Sequence, residues 1–181
     1  MITKQGFISF LSRNRNKSDR PHIRPGTEPV DWLLEALALL GLLFLAGFLL
    51  YQYPRLPGTI PSHFNAAGQP DGYSGRGSIL FLPGVSLFVY ILLTLVALIP
   101  QNFNYLVKIT PENAPRQYAL AVRFIRYMKT LVIWLFFFIT LAAVRTATGE
   151  TSGLGLWFMP VFLGLVFIPM IVYFVLASRK R

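Results

Sequence analysis

Cysteine is absent from this 181-residue chain. Its absence excludes disulfides, thiolate metal sites, a cysteine nucleophile, covalent haem attachment and a lipoprotein anchor. Charge is scarce as well: 13% of residues are Asp, Glu, Lys or Arg, against about a quarter in a soluble domain. Acids are the scarcer sign, seven against seventeen Lys and Arg, so the net charge is +10. There are two histidines, His22 and His63, too few for a closed zinc site, which takes about four ligands. What remains is apolar: 54% of the chain is hydrophobic, the composition of a membrane protein. A soluble protein with this charge would suggest nucleic acid. No base-reading motif accompanies the charge here, and the bases cluster beside long apolar runs, so no nucleic-acid partner is expected.

Four apolar runs stand out: Trp32 to Leu50, broken only by Glu35; Ile79 to Pro100; about Tyr127 to Val144; and Leu154 to Ala177. Each approaches the ~20 helical residues that cross a hydrocarbon core of about 30 Å. Only helices leave no peptide group unpaired in lipid. The expected fold is therefore an all-α integral membrane protein with four transmembrane helices. Pro29 suits the first turn of helix 1, and Asp31 and Glu35 suit its positive end as dipole partners. From Pro115 onward no breaker appears until deep in helix 3, so a juxtamembrane helix is expected to run into that span. Pro160 and Pro169 are expected to bend helix 4.

Lys and Arg set the expected orientation. The N-terminal arm holds Lys4, Arg13, Arg15, Lys17, Arg20 and Arg24; the middle loop holds Lys108, Arg116, Arg123, Arg126 and Lys129; the tail holds Arg179, Lys180 and Arg181. The opposite side has Arg55, Arg76 and Arg145. Both termini are thus expected in the cytoplasm. The chain divides into a basic arm (1–28) with a short interfacial helix around Phe7 to Leu11, a first helical pair (29–100) with an outer loop at 52–78, a basic cytoplasmic loop and juxtamembrane helix (101–126), helices 3 and 4 (127–178) and a basic tail (179–181). Arg116, Arg123, Arg126, Lys129, Arg179, Lys180 and Arg181 are the expected anchors on anionic lipid, with a partner-docking face as the alternative.

The outer loop contains "LPGTIPSHFNAAGQPDGYSG", Leu56 to Gly75. Gly and Pro are too dense for a helix. Pro61 restrains Ile60 to extended angles, so "TIPSHFN" reads as a short extended piece. "GQPDG" reads as a turn, with Pro70 presetting its φ and Asp71-Gly72 supplying side-chain bonding and positive φ. The whole is expected to be an irregular Pro/Gly-rich loop. His63, Asn65 and Asp71 can approach one another across it. In a structural reading, Asn65 and Asp71 bond loop amides and His63 caps helix 2 or a buried carbonyl, partly covered by Phe64 or Tyr73. In a recognition reading, His63, Asn65, Asp71 and Arg76 are polar contacts to a ligand or peptide, and Phe64 and Tyr73 apolar ones. No nucleophile is marked, so no catalytic residue, metal or cofactor is expected.

"LPGTIPSHFNAAGQPDGYSGRGSILFLP" resembles the signature of the Domain of Unknown Function 1648 family. Leu56, Pro57, Ile60, Pro61, His63, Phe64, Asn65, Gly68, Asp71 and Pro83 carry the resemblance. It implies a bacterial or archaeal polytopic protein of the cytoplasmic (inner) membrane, related to SdpI-type immunity proteins. Those relatives protect the cell from a secreted toxin, and some sequester a transcriptional repressor at the membrane. This chain departs from them in having four spans and a long basic arm. The expectation is a non-enzymatic membrane protein that recognises a partner or toxin through its outer loop, immunity- or signalling-like. The alternatives are an accessory subunit of a larger membrane complex and, more distantly, an extracytoplasmic metal-dependent enzyme.

Overall fold

The computed structural model describes residues 20–179. The interfacial helix expected around Phe7 to Leu11 and the lipid contacts expected of Lys180 and Arg181 lie outside the described residues. Four long helices form: α1 (Pro29–Gln52), α2 (Phe81–Val96), α3 (Ala114–Ala147) and α4 (Phe158–Ser178). All four belong to segments long and apolar enough to cross a membrane. Between α1 and α2 lie two strands, β1 (Thr59–Phe64) and β2 (Pro70–Gly75).

α3 is the central element, packing on α1, α2, α4 and β1. Its 34 residues make a rod of about 51 Å, longer than a hydrocarbon core of about 30 Å. The expected juxtamembrane helix is thus one piece with the third span. Asn113 precedes it, with its side-chain oxygen accepting from the Thr110 amide at 2.9 Å. Its end is a Schellman motif: Glu150 N–H reaches Arg145 O, Gly149 N–H reaches Thr146 O, and Gly149 takes φ 80°.

α1 buries Ala38, Gly41, Leu45 and Leu49 on one face. Gly41 lets the α3 backbone come near: a Cβ there would lie 2.9 Å from Ile133 Cγ2. This is how small residues bring membrane helices together. Thr130 Oγ1 then donates to Leu34 O at 3.0 Å and Trp134 Nε1 to Leu37 O at 3.1 Å. In α3's most apolar window 33% is buried, against 6% in α4. The rest of α4 is surface that only hydrocarbon suits.

Two sequence expectations need correction here. Pro160 falls in the first turn of α4, where its missing N–H is no loss; only Pro169 is interior. And the link between α1 and α2 is not irregular. β1 and β2 pair antiparallel, Thr59 opposite Gly75 and Ile60 opposite Ser74. The turn is Asn65 to Gln69, not Gly68 to Gly72. Asn65 Oδ1 accepts from the amides of Ala67 and Gln69 at 2.9 and 3.0 Å. Gly68, not Gly72, carries the positive φ. An Asx-type turn by Asn65 competed with Pro-Asp-Gly and won, leaving Pro70, Asp71 and Gly72 in β2.

At the other end of the bundle, the chain before α1 lies across α3. Arg20 donates to Gln101 O and Phe103 O at 2.9 and 2.7 Å, and Tyr118 donates to Pro21 O at 3.2 Å. Ile23 and Tyr105 pack on Ile109, Ala114 and Tyr118. Burial, then the neighbouring phenols of Tyr118 and Tyr173, push the Tyr105 hydroxyl well above its ordinary range.

Candidate functional site

The hairpin sits on the end of α3. Ile60 is 1% exposed and joins Leu49, Leu56, Ile79, Ala143 and Val144 in one apolar cluster, with Phe64 packed against it. Burying one such side chain is worth about 1.5–3 kcal/mol, which anchors β1. The tip is held separately. Leu154 N–H donates to Gly68 O at 2.7 Å. Gly68 and Gly153 meet backbone to backbone: a Cβ on Gly153, which has φ 143°, would lie 2.2 Å from Gly68 O. The hairpin is therefore fixed at its base by apolar packing and at its tip by glycine contact with the α3–α4 loop.

On this rigid support His63 and Asp71 meet. His63 Nδ1 lies 2.5 Å from Asp71 Oδ1, with side chains 72% and 44% exposed. The strand register is irregular on both sides of His63, and such bulges re-aim side chains. Gly72 opposite leaves room, since a Cβ there would come within 3.0 Å of His63 Cβ. The Asp71 carboxylate fixes which way the imidazole faces and leaves Nε2 turned away from it as a second hydrogen-bonding atom. Ser74 Oγ donates to Ser62 Oγ at 2.9 Å nearby. The surface so displayed is polar, oriented and exposed.

The expected recognition set divides. His63 and Asp71 come together and face solvent; the expectation that His63 caps α2 or a buried carbonyl is not met. The Asn65 side-chain oxygen is committed to the turn. Phe64 is a packing residue, not a free apolar contact. Tyr73 is 59% exposed on β2. Arg76 stands over the Tyr53 ring, 5.6 Å from its centroid.

The opposite end holds a constellation that the sequence reading missed. Arg123 makes two contacts to Asp31, both at 3.1 Å, and a third to Glu28 at 2.9 Å. Arg126 reaches Asp31 at 3.2 Å and Glu35 at 3.2 Å. Lys129, 1% exposed, donates to Glu35 at 2.6 Å and to Thr94 Oγ1 of α2 at 2.9 Å, and lies 4.6 Å from the Tyr90 ring centroid. Asp31 also accepts the Glu28 amide at 2.8 Å, so it serves the positive end of α1, as expected, while bridging two arginines. Lys129 is enclosed by these partners and leaves almost no surface for the lipid contact expected of it. Arg123 and Arg126 have carboxylate partners in the chain. Arg116 donates to Leu176 O and Arg179 O, and Gln117 to Ala177 O; these close the C-terminal carbonyls of α4. Arg179 itself is at the exposed end of that helix. The missed signal was Glu28, Asp31 and Glu35 on one helical face, matched by bases three residues apart at 123, 126 and 129.

Among the described residues no group of three or more His, Asp or Glu is placed to hold a metal ion. Residues 39–87 match the family model described as a domain of unknown function (DUF1648), as the resemblance of the same stretch implied. The match covers most of α1, the whole hairpin and the start of α2. An uncharacterized protein of Archaeoglobus fulgidus is 45% identical over 53 residues, 26% of this chain and 29% of that protein. The chain thus spans under a third of the length of that relative. No solved structure matches. The chain is a helical, membrane-type protein with a family-like segment that includes His63 and Asp71 and stops short of α3 and α4.

Proposed function

We propose that this is a non-enzymatic multi-pass protein of the cytoplasmic membrane that recognises a protein or peptide partner through its hairpin, in an immunity- or signalling-like role. One observation carries the reading: an exposed His63–Asp71 pair on a hairpin held rigid at both base and tip. The pair contributes little to packing, yet Gly72 and two register irregularities accommodate it. An imidazole held in place by Asp71 offers a partner a directed polar group without the cost of ordering it at binding. The basic residues toward the opposite end, Lys108, Arg116, Arg123, Arg126 and Arg179, favour a cytoplasmic position for both termini and an outer position for the hairpin.

Two experiments test this. In a deletion strain of the source organism, His63→Ala and Asp71→Ala should reach wild-type levels in the membrane and fail to restore the deletion phenotype; full complementation by both variants sinks the recognition role. Because the chain has no cysteine, Ser74→Cys is a clean topological probe. A membrane-impermeant maleimide should label it in intact cells. Labelling only after permeabilisation reverses the orientation.

A further inference from the structure

α3 and α4 touch closely at one end and part toward the other. Phe124 stacks on Tyr173 with ring centroids 4.7 Å apart, and Tyr127 donates to Leu165 O at 2.7 Å. Beyond that point the facing surfaces enclose a cavity of about 470 Å³, open on one side, between Leu135, Phe138 and Ala142 of α3 and Phe158 and Phe162 of α4. At its loop end stand Arg145 and Thr151. The volume is that of a small-ligand site. A single hydrocarbon chain fits a groove of this size and apolar lining.

The loop end supplies a charge pattern. Arg145 Nε donates to Glu150 Oε2 at 3.2 Å, and the two side chains are 49% and 55% exposed. That contact uses one edge of the guanidinium. Its terminal nitrogens have no partner among the described residues. Thr148 Oγ1 donates to Glu150 Oε1 at 3.1 Å, which holds the carboxylate in place with lone pairs to spare. The Schellman turn fixes both residues relative to the cavity. The cation at the mouth of the apolar slot thus carries an anion beside it.

We propose that this slot binds one membrane phospholipid with a phosphoethanolamine headgroup. An acyl chain occupies the cavity, the phosphate sits on the terminal nitrogens of Arg145, and the primary ammonium donates to Glu150. A purely anionic headgroup matches Arg145 and is repelled by Glu150. A choline headgroup has no N–H to donate. The exposed Trp157 beside the mouth is the residue type found at headgroup level. This site is separate from the His63–Asp71 pair and does not depend on the function proposed for it.

Native mass spectrometry of the purified full chain, given equimolar phosphatidylethanolamine, phosphatidylglycerol and phosphatidylcholine of identical acyl chains, tests the assignment. Wild type should retain one phosphatidylethanolamine with a preference of about tenfold over each competitor. Glu150→Gln should lose the preference over phosphatidylglycerol, and Arg145→Gln should weaken retention of both. Ala142→Phe, which fills the slot, should abolish the stoichiometric adduct. Glu150 and Arg145 are surface residues, so a folded, monodisperse Glu150→Gln variant keeps the test sound even where Ala142→Phe disturbs packing. Equal retention of the three lipids by wild type overturns the proposal. So does an unchanged headgroup preference in Glu150→Gln.

Discussion

The two ends of the bundle treat polar groups in opposite ways. Around the start of α1 and along the first half of α3, three carboxylates meet three bases across helices, and Lys129 is sealed among Glu35, Thr94 and Tyr90. At the hairpin end, His63 and Asp71 satisfy each other and stay open to solvent. Buried ion pairs demand partners on every side, because an uncompensated charge in a low-dielectric site is costly. An exposed pair contributes little to stability, since water screens it. The first arrangement holds helices in register; the second leaves chemistry on offer. Both ends pair a carboxylate with a nitrogen base, and burial separates their roles.

Removing one partner from the sealed end should have the largest effect. Lys129→Met leaves Glu35 with Arg126 alone and should destabilise the bundle by about 3–5 kcal/mol, read as a lower midpoint in denaturant titration of the micelle-solubilised protein. Glu35→Gln with Lys129→Met should cost less than the two single changes added together, because the pair is coupled; simple additivity would break the picture of a joined network. Next comes the tip contact. Gly153→Ala puts a methyl against Gly68 O and a side chain at φ 143°, a strain of order 1–3 kcal/mol. Hydrogen exchange at Asn65 to Gln69 should accelerate while α3 amides keep their protection. Asn65→Ala removes two turn hydrogen bonds, each worth about 0.5–1.5 kcal/mol, and should speed exchange in the hairpin alone. The smallest stability effect belongs to the exposed pair: His63→Ala should stay within about 0.5 kcal/mol of wild type. A larger loss would mean that His63 supports the hairpin, and the contrast between the ends would collapse.

The helices were legible because lipid allows few choices. Four long apolar runs have no other stable form, and Pro115 marked the start of α3 to within a residue or so. The hairpin was half legible. "TIPSHFN" reads as extended and is β1, but the turn was misplaced because two good turn formers, Asn65 and Pro70-Asp71-Gly72, compete within a few residues. Their outcome is decided by tertiary contact: Gly68 must meet Gly153, which lies far along the chain. The same limit hid the ion network. Asp31 and Glu35 are good dipole partners for α1 on local grounds, and nothing local says that Arg123, Arg126 and Lys129 stand opposite them. His63 and Asp71 were legible as a pair because the hairpin brings near neighbours together.

The distance along the chain between network partners has a consequence for assembly. Asp31 and Arg123 are 92 positions apart, and Glu35 and Lys129 are 94. Chains emerge from the ribosome N-terminus first, so α1 is made well before α3 exists. Until then Glu35 waits without its counter-ion at the edge of the apolar run, and α1 is held less firmly in the bilayer than its length implies. The arrival of α3 neutralises α1 and supplies the docking surface for the hairpin. This helix, made third, therefore completes both the ion network and the support beneath the hairpin.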